Sequence, residues 1–372
     1  MKFTIAANEL SAALAKVQPV SVNRTTLPIL ETFLIRATGG EVIVTASSID
    51  MEATAKVACD IEREGRAAIS SNVASVVKSL GKSLITIDVA DDKGARATLT
   101  GPRQKYEFGA LPADEFPIMM DMGDSGVSTF ELDGNTLAAG LGLTRGTAST
   151  QETQFYLCGV CVQREGHELV FVATDKTRFS RYAIPTPDGA ETMASAIVPT
   201  AAVSAIVGVV SGVESVQIAF SRAKVRVDAG SAILTSKLIE GEFIKNYRDY
   251  FDRQVRNDGV RVSRAELSEA LARIAAIRSD TKVPGFTIRS NGSTIELISD
   301  KRSRSEGVEA VDAEILHDTD FGVATGHFSS LIGVWPESAT IDIAGPREPG
   351  DGITIKSASV PALVQLIGTM RV

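Results

Sequence analysis

An α+β fold of three repeated domains, each with two helices packed on antiparallel sheets, is what this 372-residue sequence predicts. Three observations carry that expectation. An apolar strand ending in a hydroxyl residue and an aspartate appears over residues 44–50, 172–175 and 297–300, and Asp50, Asp175 and Asp300 fall at equal intervals. A unit that recurs at a fixed period signals a repeated domain. Apolar residues at helical spacing also recur in pairs, near residues 10 and 75, 137 and 203, and 268 and 330. Short strands separate these helices, and antiparallel strands can keep one face wet while helices cover the other.

The elements follow in order. Residues 3–5 open as a strand, and 8–17 continue as a helix with Asn8 as its N-cap. Pro28 precedes a buried strand over 29–37, Gly39 and Gly40 turn the chain into 41–46, and 51–59 returns. A loop at 63–65 and a brief strand at 67–69 lead to a short helix at 71–81, closed by Gly81. Strands at 84–89, 95–100 and 105–110 form a meander that ends the first domain, residues 1–122.

The second domain, 127–250, repeats this order. Strand 128–132 precedes helix 135–143, strands 155–163 and 168–174, and a Thr174-Asp175 turn whose side-chain oxygens can hold turn amides. Strand 179–184, helix 199–207 and a meander at 216–220, 224–228 and 231–238 complete it. The third domain, 258–372, opens at 260–262, carries a helix over 264–277, and turns through Asn291-Gly292 between strands 286–289 and 294–298. A helix over 325–335 and strands at 339–344, 352–356 and the end of the chain finish it.

Composition excludes several classes. No apolar run reaches the roughly 18 residues of a membrane span, and the first residues lack the pattern of a secretory signal. A cytoplasmic protein is expected. The net charge of −8 argues against coating nucleic acid over the whole surface, yet it permits a basic lining inside an acidic exterior. Three cysteines, an odd number, make no disulfide framework. Cys158 and Cys161 fall in a predicted strand on opposite faces, as buried structural thiols or, alternatively, a redox pair or half a zinc site. His167, His317 and His327 are scattered, so neither metal nor cofactor is expected. No phosphate-binding P-loop, nucleophile elbow or zinc-protease motif appears. The acidic pairs Asp91-Asp92 and Asp318 with Asp320 fall in predicted loops, and no catalytic residue is assigned.

Residues 171–185 read Phe-Val-Ala-Thr-Asp-Lys-Thr-Arg-Phe-Ser-Arg-Tyr-Ala-Ile-Pro. With Arg24-Thr25-Thr26-Leu27-Pro28-Ile29-Leu30, Phe155-Tyr156-Leu157, Ser236-Lys237-Leu238 and Met370-Arg371-Val372, they resemble the bacterial sliding clamp family, the β subunit of DNA polymerase III. The resemblance runs in register over nearly the whole chain. It implies clamp-type domains in a non-catalytic processivity factor that encircles double-stranded DNA without sequence specificity. It also implies a clamp loader, and DNA polymerases and other partners that dock a short peptide.

Geometry supports a ring. A domain of about 125 residues is roughly 35 Å across, so three in a triangle leave a gap of about 5 Å whereas six leave roughly 35 Å. Only the larger ring admits a duplex, which requires a head-to-tail homodimer. The resemblance places the interface between the first domain's meander, at Tyr106 and Phe108, and the third domain's first helix, at Ile274 and Ile277. These four read equally as core residues of their own domains.

For DNA, the resemblance points to Arg24, Gln151 and Tyr156, with Lys78, Lys82, Arg145 and Arg273 on or beside helices; solvated surface is the alternative. Asn72, Thr200 and Ala201 stand where the family usually has basic residues, and helix 200–210 is uncharged. The peptide pocket is placed at Leu157, Thr174, Arg178, Phe179, Leu366, Met370 and Arg371, with Lys176 and Thr177 replacing a family Gly-His and Ile244 replacing a proline. Asp249 and Tyr250 change charge and bulk beside it, which suggests a specialised or accessory clamp; a housekeeping clamp is the plainer reading. The same residues also admit a monomeric clamp-fold scaffold or a thiol enzyme using Cys158 and Cys161.

Overall fold

The computed structural model describes residues 1–22, 24–90, 96–119, 122–123, 126–277, 282–300, 305–348 and 350–372. Strand β1 (Lys2–Ala6) leads into α1 (Ala7–Val17), followed by β2 (Thr32–Thr38), β3 (Glu41–Ser47), β4 (Met51–Ala58) and β5 (Asp60–Arg63). Then come β6 (Gly65–Ser70), α2 (Val73–Ser79), β7 (Leu84–Asp88), β8 (Arg96–Thr100) and β9 (Lys105–Leu111).

The order starts again with β10 (Ser128–Leu132), α3 (Gly134–Arg145), β11 (Gly159–Glu165), β12 (Glu168–Thr174) and β13 (Arg178–Pro185). It continues through β14 (Ala196–Pro199), α4 (Thr200–Val210), β15 (Val216–Phe220), β16 (Lys224–Asp228) and β17 (Ala232–Lys237). After α5 (Tyr247–Gln254) it returns as β18 (Val260–Ser263), α6 (Arg264–Ala275), β19 (Gly285–Asn291), β20 (Thr294–Ser299) and β21 (Val308–Ile315). The chain ends with β22 (Asp320–Ala324), α7 (Thr325–Ile332), β23 (Thr340–Ala344), β24 (Gly352–Lys356) and β25 (Leu363–Gly368). Strand, helix, three strands, strand, helix, three strands thus occurs three times, with β5 and α5 as additions.

Two compact units result. One comprises Met1–Ala139 and Pro187–Ile239, the other Gly140–Thr186 and Glu240–Val372. In the first, the strands run β10-β15-β16-β17-β4-β3-β2-β6-β9-β8-β7-β1-β5, and β17 joins β4 with Leu234 opposite Ala53. In the second they run β11-β12-β13-β25-β24-β23-β18-β21-β20-β19-β22, and β13 joins β25 with Phe179 opposite Leu366. Residues of the expected second domain contribute to both units.

Local chemistry explains most elements. β1 and β20 alternate buried and part-exposed residues, the period of a strand with one covered face. α1 buries Ala7, Leu10, Ala13, Leu14 and Val17, one helical stripe. α6 begins at Ser263, whose side chain accepts a hydrogen bond from the Glu266 amide. α4 has no charge because it buries six residues, including Val203, Ile206 and Val210, leaving a narrow exposed stripe.

Several expectations need correction. Asn8 is not a cap: the helix starts at Ala7, whose amide donates to the Ser83 carbonyl at 2.9 Å, and Asn8 lies exposed inside it. The strand placed over 29–37 begins only at Thr32, because Pro28–Glu31 forms a 3-10 turn. Residues 155–157 are likewise 3-10, closed by the Cys158 amide donating to Phe155 at 2.9 Å, so the strand starts at Gly159. Cys158 therefore precedes the strand that holds Cys161, and all three thiols stand outside any disulfide. Asp91 and Asp92 lie outside the described residues.

The turn recurs at two of the three expected places, in a register that differs from the aspartate spacing; at the third, the Ser299 amide instead donates to the Gly307 carbonyl at 3.0 Å, across a longer connection. Lys176 takes a φ of 74° and Ile49 a φ of 73°, both unusual for residues other than glycine. In one turn Asp175 Oδ1 accepts from the Arg178 amide at 2.7 Å; in the other Ser48 Oγ accepts from the Met51 amide at 3.2 Å. Ser48, not Asp50, is thus the counterpart of Asp175. Asp50 instead pairs with Lys237 at 2.8 Å, on the strand next to β4.

Candidate functional site

The turn between β12 and β13 is fixed by its own side chains. Thr174 Oγ1 donates to the Arg178 carbonyl at 2.6 Å and accepts from the Lys176 amide at 2.9 Å. The Asp175 carboxylate accepts from the amides of Thr177 and Arg178, and from Arg178 Nε and Nη2 at 2.9 and 2.6 Å. The remaining Arg178 nitrogen, Nη1, donates to Ser330 Oγ on α7 at 2.6 Å. A guanidinium held on two sides is rigid, and that rigidity sets the edge of the site.

Beyond the turn, the floor is apolar. Phe179 lies opposite Leu366 across the β13–β25 pair, and the Tyr250 ring of α5 rests 5.8 Å from the Phe179 ring, tilted by 40°. Leu157, Thr174 and Leu366 are fully buried, whereas Lys176, Thr177 and Arg371 are exposed. Leu157 is tied in through its carbonyl, which accepts from the Ser149 amide at 2.8 Å, and nearby Thr147 Oγ1 donates to the Ala173 carbonyl at 3.0 Å. Gly368 donates its amide to the Thr177 carbonyl at 2.9 Å, which brings the last strand against the turn; Met370 follows, half-exposed. Ile244 sits half-exposed before α5, and no hydrogen bond or ring contact joins it to Phe179.

Sequence reasoning missed what holds α5 in place. The Tyr247 hydroxyl donates to Glu165 on β11, whose carboxylate also accepts from Gln163 at 2.7 Å and from Arg181 Nη2 at 3.0 Å. The Glu165 and Arg181 side chains are only 7% and 13% exposed. Burial alone would push the Glu165 pKa up, but the hydrogen bonds from Tyr247, Gln163 and Arg181 outweigh it and hold the group below its ordinary value. Burial and the adjacent Glu165 raise the Tyr247 pKa, so its hydroxyl stays a donor. The only local signal was Tyr247 and Phe251 one helical turn apart, both buried.

The residues expected to meet DNA are mostly exposed. Arg24 sits in a loop at a φ of 64°, Lys78 in the last turn of α2, Lys82 just beyond it, and Arg145 in the last turn of α3. Gln151 starts the 3-10 turn that carries Phe155 and Tyr156, whose rings meet edge to face. The Arg273 guanidinium pairs with Glu309 at 2.9 Å, an ion pair on the surface.

At the expected interface, β9 pairs with β8 over Lys105–Gly109 but with β6 only at Ala110 and Leu111. No strand covers the other edge of residues 105–109 among the described residues. Tyr106, 38% exposed, and the half-exposed Phe108 lie opposite the buried Leu99 and Ala97, so they extend a core to an uncovered edge. Ile274, by contrast, is buried in its own unit; Ile277 is half-exposed.

Chemistry elsewhere is sparse. Burial and then Glu152 push the Cys158 thiol up, away from a reactive thiolate. Among the described residues no three His, Cys, Asp or Glu side chains converge as a metal site, and no helix is long and apolar enough to cross a membrane.

Comparison with known proteins adds independent weight. Residues 1–121 match the family described as DNA polymerase III beta subunit, N-terminal domain, and residues 131–245 match its central domain. The beta sliding clamp of Caulobacter vibrioides (strain NA1000 / CB15N) is 32% identical over 291 residues, spanning 75% of this chain and 76% of the relative. That of Escherichia coli (strain K12) is 27% identical over 316 residues, 84% of each chain. A crystal structure of the Caulobacter crescentus beta sliding clamp superposes with a TM-score of 0.85 at 26% identity, covering 100% of this chain and 99% of that one. The Bartonella birtlesii clamp bound to griselimycin gives 0.88 at 23% identity over 100% of both chains, a likeness of fold.

Proposed function

The chain belongs to the DNA polymerase III beta-subunit family and is a DNA sliding clamp, a non-catalytic processivity factor; from that premise we propose how it closes and what it holds. Two copies join head to tail, so that six clamp domains, from segments 1–122, 127–250 and 258–372 of each, enclose duplex DNA. Such an interface pairs two different surfaces and closes on itself.

The observation that carries this reading is the edge of β9, where Tyr106 and Phe108 leave an apolar surface beside strand backbone that is unpaired among the described residues. Its counterpart on the other copy is the end of α6 and the residues just beyond it, with the half-exposed Ile277 as the anchor and Ile274 supporting it from the core. A clamp loader opens this contact. DNA is held by phosphate contacts from Arg24, Lys78, Lys82 and Arg145, and Gln151 and Tyr156 also contact it, so binding is independent of sequence. Arg273 contributes little while Glu309 holds it.

Polymerases and other partners dock a short peptide on the surface between the Thr174–Phe179 turn and the last strand. Arg178 and the backbone orient it and Phe179 supplies the apolar floor. The Tyr250 ring narrows that floor, which fits a specialised or accessory clamp with its own partner preference.

Light scattering over a concentration series tests closure. A mass near twice 39.3 kDa is expected for the native chain, and a folded Phe108→Asp variant should fall to one chain. A dimer unchanged by Phe108→Asp would remove β9 from the interface. A native monomer at every concentration would favour a clamp-fold scaffold that never closes.

A further inference from the structure

The residues after β25 have an unusual seat. Past Gly368 the chain leaves its strand neighbours and reaches β22, where the Met370 amide donates to the Gly322 carbonyl at 2.9 Å. A Cβ built on Gly322 would lie 2.4 Å from the Met370 carbonyl oxygen and 2.6 Å from Val372 Cγ2. One built on Gly285 would lie 2.9 Å from both Met370 Sδ and Val372 Cγ2. In the β19–β22 register Gly285 faces Ala324, two residues from Gly322, so both glycines look out on the same sheet face.

Neither glycine has a left-handed φ, so backbone freedom does not explain them. Space does. Other glycines also lack room for a Cβ, such as Gly259 against Ile343 and Gly345 against Thr319, but their neighbours belong to other segments. Among the described glycines, only Gly285 and Gly322 converge on Met370 and Val372.

We propose that Gly285 and Gly322 form a Cβ-free seat that positions Met370 and Arg371 as the wall of the partner-peptide site. They are positioning residues, since they touch the wall and not the peptide. The segment is anchored at two points: the Gly368 amide on the Thr177 carbonyl and the Met370 amide on the Gly322 carbonyl. Between them the chain must span from the turn to β22; a side chain on Gly322 would meet the Met370 carbonyl and lift the second anchor, and one on Gly285 would displace the Met370 and Val372 side chains. The wall would then move although every peptide-contacting residue remained. This inference rests on the peptide-site reading above.

The test uses the full chain and a fluorescein-labelled peptide carrying one glutamine beside leucine and phenylalanine, followed by fluorescence anisotropy. Gly322→Ala should raise the peptide Kd by roughly tenfold or more, with circular dichroism and the solution mass unchanged. Gly326→Ala, on α7 with nothing within 4 Å of its Cβ, should bind as the native chain does. Hydrogen exchange at the Met370 amide should quicken in Gly322→Ala alone, a local readout that general destabilisation would not confine to that amide. Should Gly322→Ala fail to fold, Gly285→Ala reports in its place, since the closest contacts of its Cβ are side-chain tips. Native-like binding by a folded Gly322→Ala or Gly285→Ala overturns the seat. If the native chain binds the peptide and Phe179→Asp does not, the peptide site stands whatever the glycines show. If the native chain does not bind, or Phe179→Asp binds equally well, the peptide-site reading fails and takes the seat with it.

Discussion

Protonating Glu165 should undo the docking of α5. Its pKa is held below the unfolded value of about 4.3. It therefore contributes stability that is fully present above that pH and is lost as pH falls through the folded value. Tyr247 runs the other way: its raised pKa contributes stability that begins to be lost as pH rises past about 10. Glu165→Ala strips a buried partner from Arg181, which keeps Glu168 at 2.7 Å, so a loss of roughly 3 kcal/mol is expected. Acid titration followed by hydrogen exchange at α5 amides checks this. Glu165→Gln should flatten the acid-side loss, and an unaltered profile would place the titrating group elsewhere. None of this was legible in the sequence, because Glu165 and Tyr247 are far apart in the chain and nothing local joins them. The Thr174-Asp175 turn was legible, since its partners lie within four residues. Its counterpart was read two residues late, because serine at position 48 does the work that aspartate does at 175.

At the scale of elements, sequence signals were strongest where the hydrophobic period is clear. α1, α6 and the β15–β16–β17 meander follow from alternation and helical stripes. α5 was missed because the run Tyr-Arg-Asp-Tyr-Phe-Asp-Arg-Gln is short and polar, and its helix is decided by tertiary anchors. Residues 155–157, the end of a 3-10 turn over 152–157, were read as strand because Phe-Tyr-Leu has strand composition, while local amide bonds prevailed.

Helix α3 offers a test of packing against propensity. A Cβ on Gly140 would sit 2.7 to 2.9 Å from three atoms of the buried Phe171 ring. Alanine gains about 1 kcal/mol in helix propensity, whereas overpacking a filled core costs about 1–3 kcal/mol. The ring is wedged against Tyr182, with centroids 6.3 Å apart, so it has little room to retreat and the steric cost should win. Gly140→Ala is expected to lower the urea midpoint. A raised midpoint would show that Phe171 yields and propensity prevails.

For the whole molecule, triplication was the readable property. Each third repeats the same ten-element order, and that order left its mark as recurring helix pairs. How the thirds combine was less readable: β17 joins β4 and β13 joins β25, pairings between strands far apart in sequence that no local pattern encodes. The pairing of Arg273 with Glu309 was hidden for the same reason, and it gives one expected DNA contact a competing carboxylate partner. In the proposed reading function depends on closure, because a net charge of −8 disfavours holding DNA over the whole outer surface. The most direct measurement is retention on a closed circular plasmid after loading, followed by gel filtration before and after one cut by a restriction enzyme. A closed ring should travel with the circle and be lost once the DNA is linear. Equal retention on linear and circular DNA would contradict encirclement.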